Sequence, residues 1–545
     1  MKTIRLKLLS GLFCLLAVLP PLRAQQTTLH DFSGTPDGAN PGSVTLTNGV
    51  LYGATHNGGG TADGTLFSVT TNGLNYTILH DFAGNPSDGS NPNDVTVSGA
   101  TVYGSTSFGG ANNCGIAFKT SATANSGFTI LHTFTNSPDG YLPEGGLTLG
   151  GITLYGTTSY GGTNGFGAVF KMTTNGANFV ILHSFTNSPD GKNPVGTLVL
   201  NGATLYGVTT AGGTAGAGTV FKMNTNGSGF SIIHSFTNNP DGSSPMAGVI
   251  FVSNALYGTT EFGGNTNGGT IFRLGTNGAN YSVLANFGPL SGNTNGTFPE
   301  SSLFFTGGNL YGTANVGGLS NNGTLFELST NGSSLGVLKT FTGSPDGDGP
   351  AGAVAVSGNT VYDFTYRGGS SGDGLALSLT LSAPTITQQP QSVSVANGQP
   401  ASFTVAADGT GILDYQWRFN TNTPVTGATS PTLSFPIASN SLAGKYSVVI
   451  TNNFGSVTSS FALLSIVNQS TLESFSFNTT NRSFSITVAN APQTTNRMWA
   501  TTNLAIAGDW RVIATNVMAS NGLWSFTDTN TAKTNAVRFY RSSTP

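Results

Sequence analysis

A tripeptide, LYG or a near variant, recurs seven times along this chain, with its tyrosine at Tyr52, Tyr103, Tyr155, Tyr206, Tyr257, Tyr311 and Tyr362. The spacings are 51, 52, 51, 51, 54 and 51 residues. Such a period marks an array of like units, each hiding its apolar faces against its neighbours. The same segments follow in order around each tyrosine, as in GTLVLNGATLYGVTTAGGTAGAGTVFKMNTNGSGFSIIHSF. Four short strands can be read there: TLVL, TLYGVTT, GTVFKM and FSIIHSF, termed a to d below. They are rich in β-branched and aromatic residues, tight turns such as Asn48-Gly49 and Asn201-Gly202 separate them, and no helical periodicity interrupts them. Four-stranded units at this spacing are those of propeller blades.

The ends of the array decide between an open row and a ring. The chain opens on a lone strand d, TTLHDF at residues 27–32, and its seventh unit has strands a, b and c (AVAVSG, TVYDFTY, GLALSLT) but no strand d. Pairing the orphan with the vacancy closes the ring and removes exposed sheet edges. An open repeat array is the alternative. The expected fold is therefore all-β: a seven-bladed β-propeller over residues 27–381, followed by two smaller β-modules.

The recurring LYGTTSYGG, GAVFKM and LHSFTNSPDGKNP resemble the Gloeo/Verruco (GloVer) tandem repeat of secreted bacterial proteins. The likeness runs from about residue 27 to 381, in register seven times. It implies an exported bacterial protein with variable C-terminal attachments. It implies no particular activity and no catalytic residues.

The N-terminus agrees with export. Lys2, Arg5 and Lys7 precede an apolar run at residues 8–19, and Ala24 precedes a plausible cleavage point, so residues 1–24 read as a signal peptide. Phe13 before Cys14 argues against lipid attachment, and no later run is long enough to span a bilayer. After cleavage Cys114 is the one cysteine, so core burial rather than a disulfide must hold the fold. Charged residues make up only 8%, yet 10% aromatics and 37% hydrophobics favour packed sheet over disorder. Residues 27–383 carry 17 acidic and 7 basic side chains. That region lacks the basic face that phosphate backbones require, which excludes nucleic acid as its partner.

Residues 384–467 resemble an immunoglobulin-like sandwich. Trp417 in YQWRF stands where the core tryptophan of strand C belongs, and Tyr446 in LAGKYSVVI is placed for a tyrosine corner. The two disulfide positions fall on Val405 and Val448, so burial must replace the bridge's contribution of about 2–5 kcal/mol. Residues 470–545 form a third β-rich segment with Trp499, Trp510, Trp524, Phe526, Phe539 and Tyr540.

Candidate sites are few. His30, His80, His132, His183 and His234 share one place in strand d, with Ala285 and Lys339 there in the remaining units. Blades radiate, so these histidines cannot converge on one metal and are read as structural. The PDG turns carry Asp37, Asp139, Asp190, Asp241 and Asp346, with Asp88 in a variant turn and Asn295 in the sixth. This is turn chemistry first. Cation binding at Asp139, Asp190 and Asp241 is the weaker alternative, since calcium wants six to eight oxygens. The b–c and d–a loops share one face of the blades. Just before the GG of the b–c loop stand Asn57, Phe108, Tyr160, Ala211, Phe262, Val316 and Arg367, and a purely structural position should not vary so. Phe108, Tyr160 and Phe262 are the ligand-binding candidates, as stacking platforms for a sugar or another flat ligand. Packing against the neighbouring loop is the competing reading.

No HExxH, GxSxG, phosphate loop or His/Cys metal set occurs, and no cofactor is expected. The expectation is a non-catalytic binding or adhesion protein, secreted or held at the cell surface. It would be monomeric, with the propeller recognising an extracellular glycan or surface protein. A polysaccharide-active enzyme using two carboxylates across the ring is the alternative, and a structural matrix component is the third.

Overall fold

The structure is a computed structural model that describes residues 25–543, apart from 124–125, 290–292, 334, 468–470, 479, 481–482, 490–494, 502–510, 518–522 and 529–538. The signal segment expected at residues 1–24, and Trp510, lie outside the described residues. All regular structure is β apart from one 3-10 turn, Asn440–Leu442, among the described residues. Two compact units emerge: one of residues up to 383 with two short loops, 409–412 and 452–454, and one of the remaining residues from 384 onward.

The first unit holds seven antiparallel sheets of four strands each, with strand a broken in two in the first two sheets. Sheet one, for example, runs Thr45–Thr47, Val50–Asn57, Thr65–Thr70 and Thr77–Asp81 as strands a to d. Its a–b turn places both Asn48 (φ 50°) and Gly49 (φ 77°) in the left-handed region, as a two-residue hairpin demands. Sheet seven takes its strands a to c from Ala355–Ser357, Thr360–Thr365 and Leu375–Thr380, and its fourth from Gln25–Asp31 at the N-terminus. Thr27 faces Ser378, and Thr28 faces Leu377, in that antiparallel pair. The vacancy inferred from the sequence is filled.

Strands b and c are buried on both sides, as in Ala255–Thr260, where every residue is buried. Two covered faces per sheet require a neighbour on each side. Seven apolar clusters supply them among the described residues, each shared by consecutive sheets. One cluster joins sheet seven to sheet one through Phe364, Tyr362, Phe67 and Val69. Backbone bonds cross that same junction, from Val44 N–H to the Ala353 carbonyl at 3.0 Å. Each consecutive pair of sheets shares such a cluster, and so do sheets seven and one.

The glycine of LYG has a packing reason. It lies directly opposite the strand-c phenylalanine, as Gly53 opposite Phe67 and Gly207 opposite Phe221. A Cβ on the first six of these glycines would come within 2.5–2.8 Å of that ring's Cζ. The seventh repeat departs, with Asp363 opposite Leu377.

In the second unit, Trp417, Tyr446, Phe403, Phe435, Val405 and Val448 form one buried core. The two valines at the disulfide positions are 2% and 0% exposed and share that core with Trp417. The Tyr446 hydroxyl donates to the Leu442 carbonyl at 2.7 Å, the expected corner. The last segment forms two three-stranded sheets around Ile486, Val488, Met498 and Trp524.

Candidate functional site

A proline recurs at or just before each strand a in the first unit: Pro41, Pro92, Pro143, Pro194, Pro245, Pro299 and Pro350. The residues that follow it meet those of the other sheets. Glycines allow the approach, since a Cβ on Gly145 would lie 2.3 Å from the Gly196 carbonyl oxygen and one on Gly352 2.4 Å from that of Gly42. Where the strands converge, all seven sheets line a cavity of about 190 Å³. Its polar side chains are Ser43, His56, Asp94, Glu144, Glu300, Ser301, Ser302 and Tyr366.

Its electrostatics are acidic. Burial holds the Asp94 carboxyl above its ordinary pKa, partly offset by hydrogen bonds from Ser43 and by His56. Burial likewise raises Glu300, although Asn315 Nδ2 donates to its Oε2 at 2.9 Å. Glu261, beside it, is pushed up to about 7 by burial and by the Glu300 charge. The Ser159 hydroxyl donates to Glu144 Oε2 at 2.5 Å, so this carboxylate too is held by a polar side chain of its own repeat. The cavity can thus accept hydrogen bonds from hydroxyl or amine groups. The His56 and Tyr366 rings, 5.7 Å apart, supply its aromatic wall.

The loop aromatics Phe108, Tyr160 and Phe262 are not part of that lining. The residue before GG bridges to the end of the d–a return in its own repeat, just after the PDG turn, as Tyr160 to Tyr141, Phe262 to Ser243 and Arg367 to Asp348. Phe108 and Tyr160 are 40% and 41% exposed, so each is partly open to solvent. Tyr160 lies nearly parallel to Tyr141 at 5.4 Å. Phe262 differs. It is half-buried and meets Phe298 edge-on at 5.0 Å, because the sixth repeat carries an aromatic at the position just before its recurring proline, where the other repeats have Asn, Leu, Ser or Gly. The variation along this column therefore follows its partners: Asn57 bonds Asn40 at 3.0 Å, and Arg367 pairs with Asp348 at 3.3 Å.

The histidines and PDG aspartates belong together. His30, His80, His132, His183 and His234 reach Asp37, Asp88, Asp139, Asp190 and Asp241 through Nε2 at 2.7–3.0 Å. Lys339 replaces histidine at Asp346, with contacts of 2.7 and 2.9 Å. Where Ala285 removes the histidine, Asn295 removes the acid. Each imidazole also stacks on an aromatic of the next sheet at 3.6–3.9 Å, as His183 does on Phe230 and His234 on Tyr281. The other carboxylate oxygen of Asp139, Asp190 and Asp241 accepts from Thr135, Thr186 and Thr237. Both oxygens of these three acids are engaged within their own repeats, and among the described residues no group of three His, Cys, Asp or Glu side chains could hold a metal. Lys119, Lys171 and Lys222 of strand c each reach 3.4 Å to a carbonyl of the following repeat.

Sequence reasoning missed Asp94, Glu144, Glu261 and Glu300. For Glu144 and Glu300 a signal existed in the column after the recurring proline, which reads Gly42, Asn93, Glu144, Val195, Met246, Glu300 and Ala351. Such variation beside an invariant residue marks side chains that share a common space.

Seven like sheets and a sandwich define a β-rich tandem-repeat protein of extracellular type. The chain belongs to the Gloeobacter/Verrucomicrobia repeat family, whose model matches twice in tandem, over residues 18–221 and 201–412. An immunoglobulin domain model matches residues 383–452. Among solved structures, chimeric titin Z1Z2 bearing an exogenous decorin peptide is 29% identical, covering 16% of this chain and 96% of its own, with a TM-score of 0.15. Titin domain M4 is 23% identical, with 16% and 97% coverage and a TM-score of 0.15. The four N-terminal Ig domains of Dscam1 are 23% identical, with 20% and 26% coverage and a TM-score of 0.15. No curated protein matches the chain. No helix among the described residues is long and apolar enough to cross a membrane.

Proposed function

We propose that the seven sheets are the blades of a closed β-propeller. On this reading the chain is an exported, non-catalytic binding or adhesion protein with the propeller as its recognition head. The ligand would be an extracellular glycan, held on the face that carries the long loops. One observation carries the reading: residues from all seven sheets converge on a single acidic, hydroxyl-accepting cavity on the unit that also exposes the Phe108 and Tyr160 rings. Rings of this kind stack on sugar faces while carboxylates accept from sugar hydroxyls. The immunoglobulin-like and C-terminal modules then serve as spacer or attachment.

Screening the mature protein on a glycan array and against a panel of glycosidase substrates tests this. Selective glycan binding without turnover is the expected result. Turnover that a single substitution, Glu300→Gln, abolishes would replace the binding reading with hydrolysis. Neither binding nor turnover would leave a structural matrix role.

A further inference from the structure

Asp363 stands alone among the seven repeats. Where six repeats place glycine against a phenylalanine ring, the seventh places a carboxyl against Leu377. The smaller leucine vacates the room that the acid occupies. Asp363 is wholly buried, and neither of its oxygens has a hydrogen-bond partner. It shares a sheet face with Val361, two residues back, and with Leu377 opposite. Both belong to the apolar cluster between sheets six and seven. The charged group acting on it from sheet six is Lys339, whose ammonium is committed to Asp346. Tyr311 is the titratable residue of that cluster, and burial and Glu327 push its hydroxyl up to about 12, so it stays neutral.

Burial of this kind disfavours the carboxylate and lifts the Asp363 pKa to about 8, with the Phe364 N–H, short of bonding geometry, and Lys339 offsetting only part of the penalty. The same sheet is the one completed by the N-terminal strand Gln25–Asp31. Gln26 of that strand donates to the Asp346 carbonyl at 3.3 Å, so the strand, the Lys339–Asp346 pair and the acid all meet one inter-sheet boundary.

We propose that Asp363 is a proton-operated latch on the boundary between sheets six and seven. Protonated, it lies neutral among apolar side chains and the N-terminal strand stays seated. Ionised, it favours opening of that boundary, where water can reach the charge. A carboxyl whose pKa is raised on closure contributes stability that is whole below the unfolded value and is lost as pH rises towards the folded one. The opening constant should then rise up to tenfold per pH unit between about 4 and 8 and level off above.

Hydrogen exchange read by mass spectrometry between pH 6 and 9.5, corrected for intrinsic rates, tests the latch on the mature full chain. Protection of residues 25–31 and 375–380 should fall by up to about a hundredfold from pH 6 to 8 in the wild type. It should stay flat in Asp363→Asn. The pair Asp363→Gly with Leu377→Phe restores the other repeats' packing, and it should also stay flat if the asparagine variant folds poorly. Wild-type protection independent of pH would overturn the proposal. So would an equal loss in either variant, or a loss spread evenly over all seven sheets.

Discussion

Phe32 anchors the N-terminal strand that completes sheet seven. It is wholly buried, its N–H donates to the Gly374 carbonyl at 3.1 Å, and its ring meets Phe67 edge-on at 5.1 Å and Tyr76 at 6.0 Å. Phe32→Ala removes those contacts from the junction of sheets seven and one, a loss of about 3–5 kcal/mol for a buried phenylalanine. Deleting residues 25–32 goes further, since it also removes Leu29 from the core and bares the edge of Leu375–Thr380. An unpaired edge invites association, so the deletion should aggregate or melt far lower. The assay has a built-in control: all four tryptophans, Trp417, Trp499, Trp510 and Trp524, follow the repeats. Tryptophan fluorescence therefore reports only the C-terminal modules, whereas far-ultraviolet circular dichroism reports the repeats as well. The repeat transition should shift and the fluorescence transition should not. A deletion variant that stays monomeric and melts unchanged would refute the closure argument, and a fluorescence transition that moves with it would refute the independence of the immunoglobulin-like core.

Burial holds the pKa of His183 and His234 below the ordinary histidine value despite their aspartate partners. Their contribution is whole above about pH 6.5, the unfolded value, and is lost as pH falls towards the folded pKa. Thermal midpoints should drop on acidification from about pH 7.5 to about 5, a span that brackets the unfolded histidine value, and His183→Phe should blunt the drop. Tyr446→Phe should cost the corner hydrogen bond to Leu442, about 1 kcal/mol, in the fluorescence transition alone. Phe262→Ala should lower the melting temperature of the repeats through its contact with Phe298, with little effect on any ligand.

Most of the scaffold was legible because repetition multiplies a weak signal. One LYG is uninformative, but seven in register reveal strand boundaries, the glycine turns and the unpaired strand at residues 27–32. Trp417 and Tyr446 were equally readable, since a large buried ring tolerates few neighbours. The site was less so. His183 and Asp190 were each noticed, yet their pairing needs the return of strand d beside its own turn, which only three dimensions supply. Glu144 and Glu300 lie in different repeats, 156 positions apart in the numbering, and only convergence of strands a brings them to one cavity. Phe262 looked equivalent to Phe108 until the structure set Phe298, the residue before the sixth repeat's proline, against it. Asp363 was hidden by the very regularity that exposed the fold, as one departure among seven tyrosine motifs.

The claim that recognition lies on the long-loop face is tested most directly by titrating the best array glycan into matched surface variants. Phe108→Ala and Tyr160→Ala, at exposed rings on that face, should each weaken binding about fivefold or more, the equivalent of roughly 1 kcal/mol per aromatic contact. Leu74→Ala and Ile152→Ala, at the exposed tight turns of the opposite strand ends, should leave the affinity unchanged. Binding that survives both ring truncations and is lost with the turn residues would place the site on the other face and contradict the account.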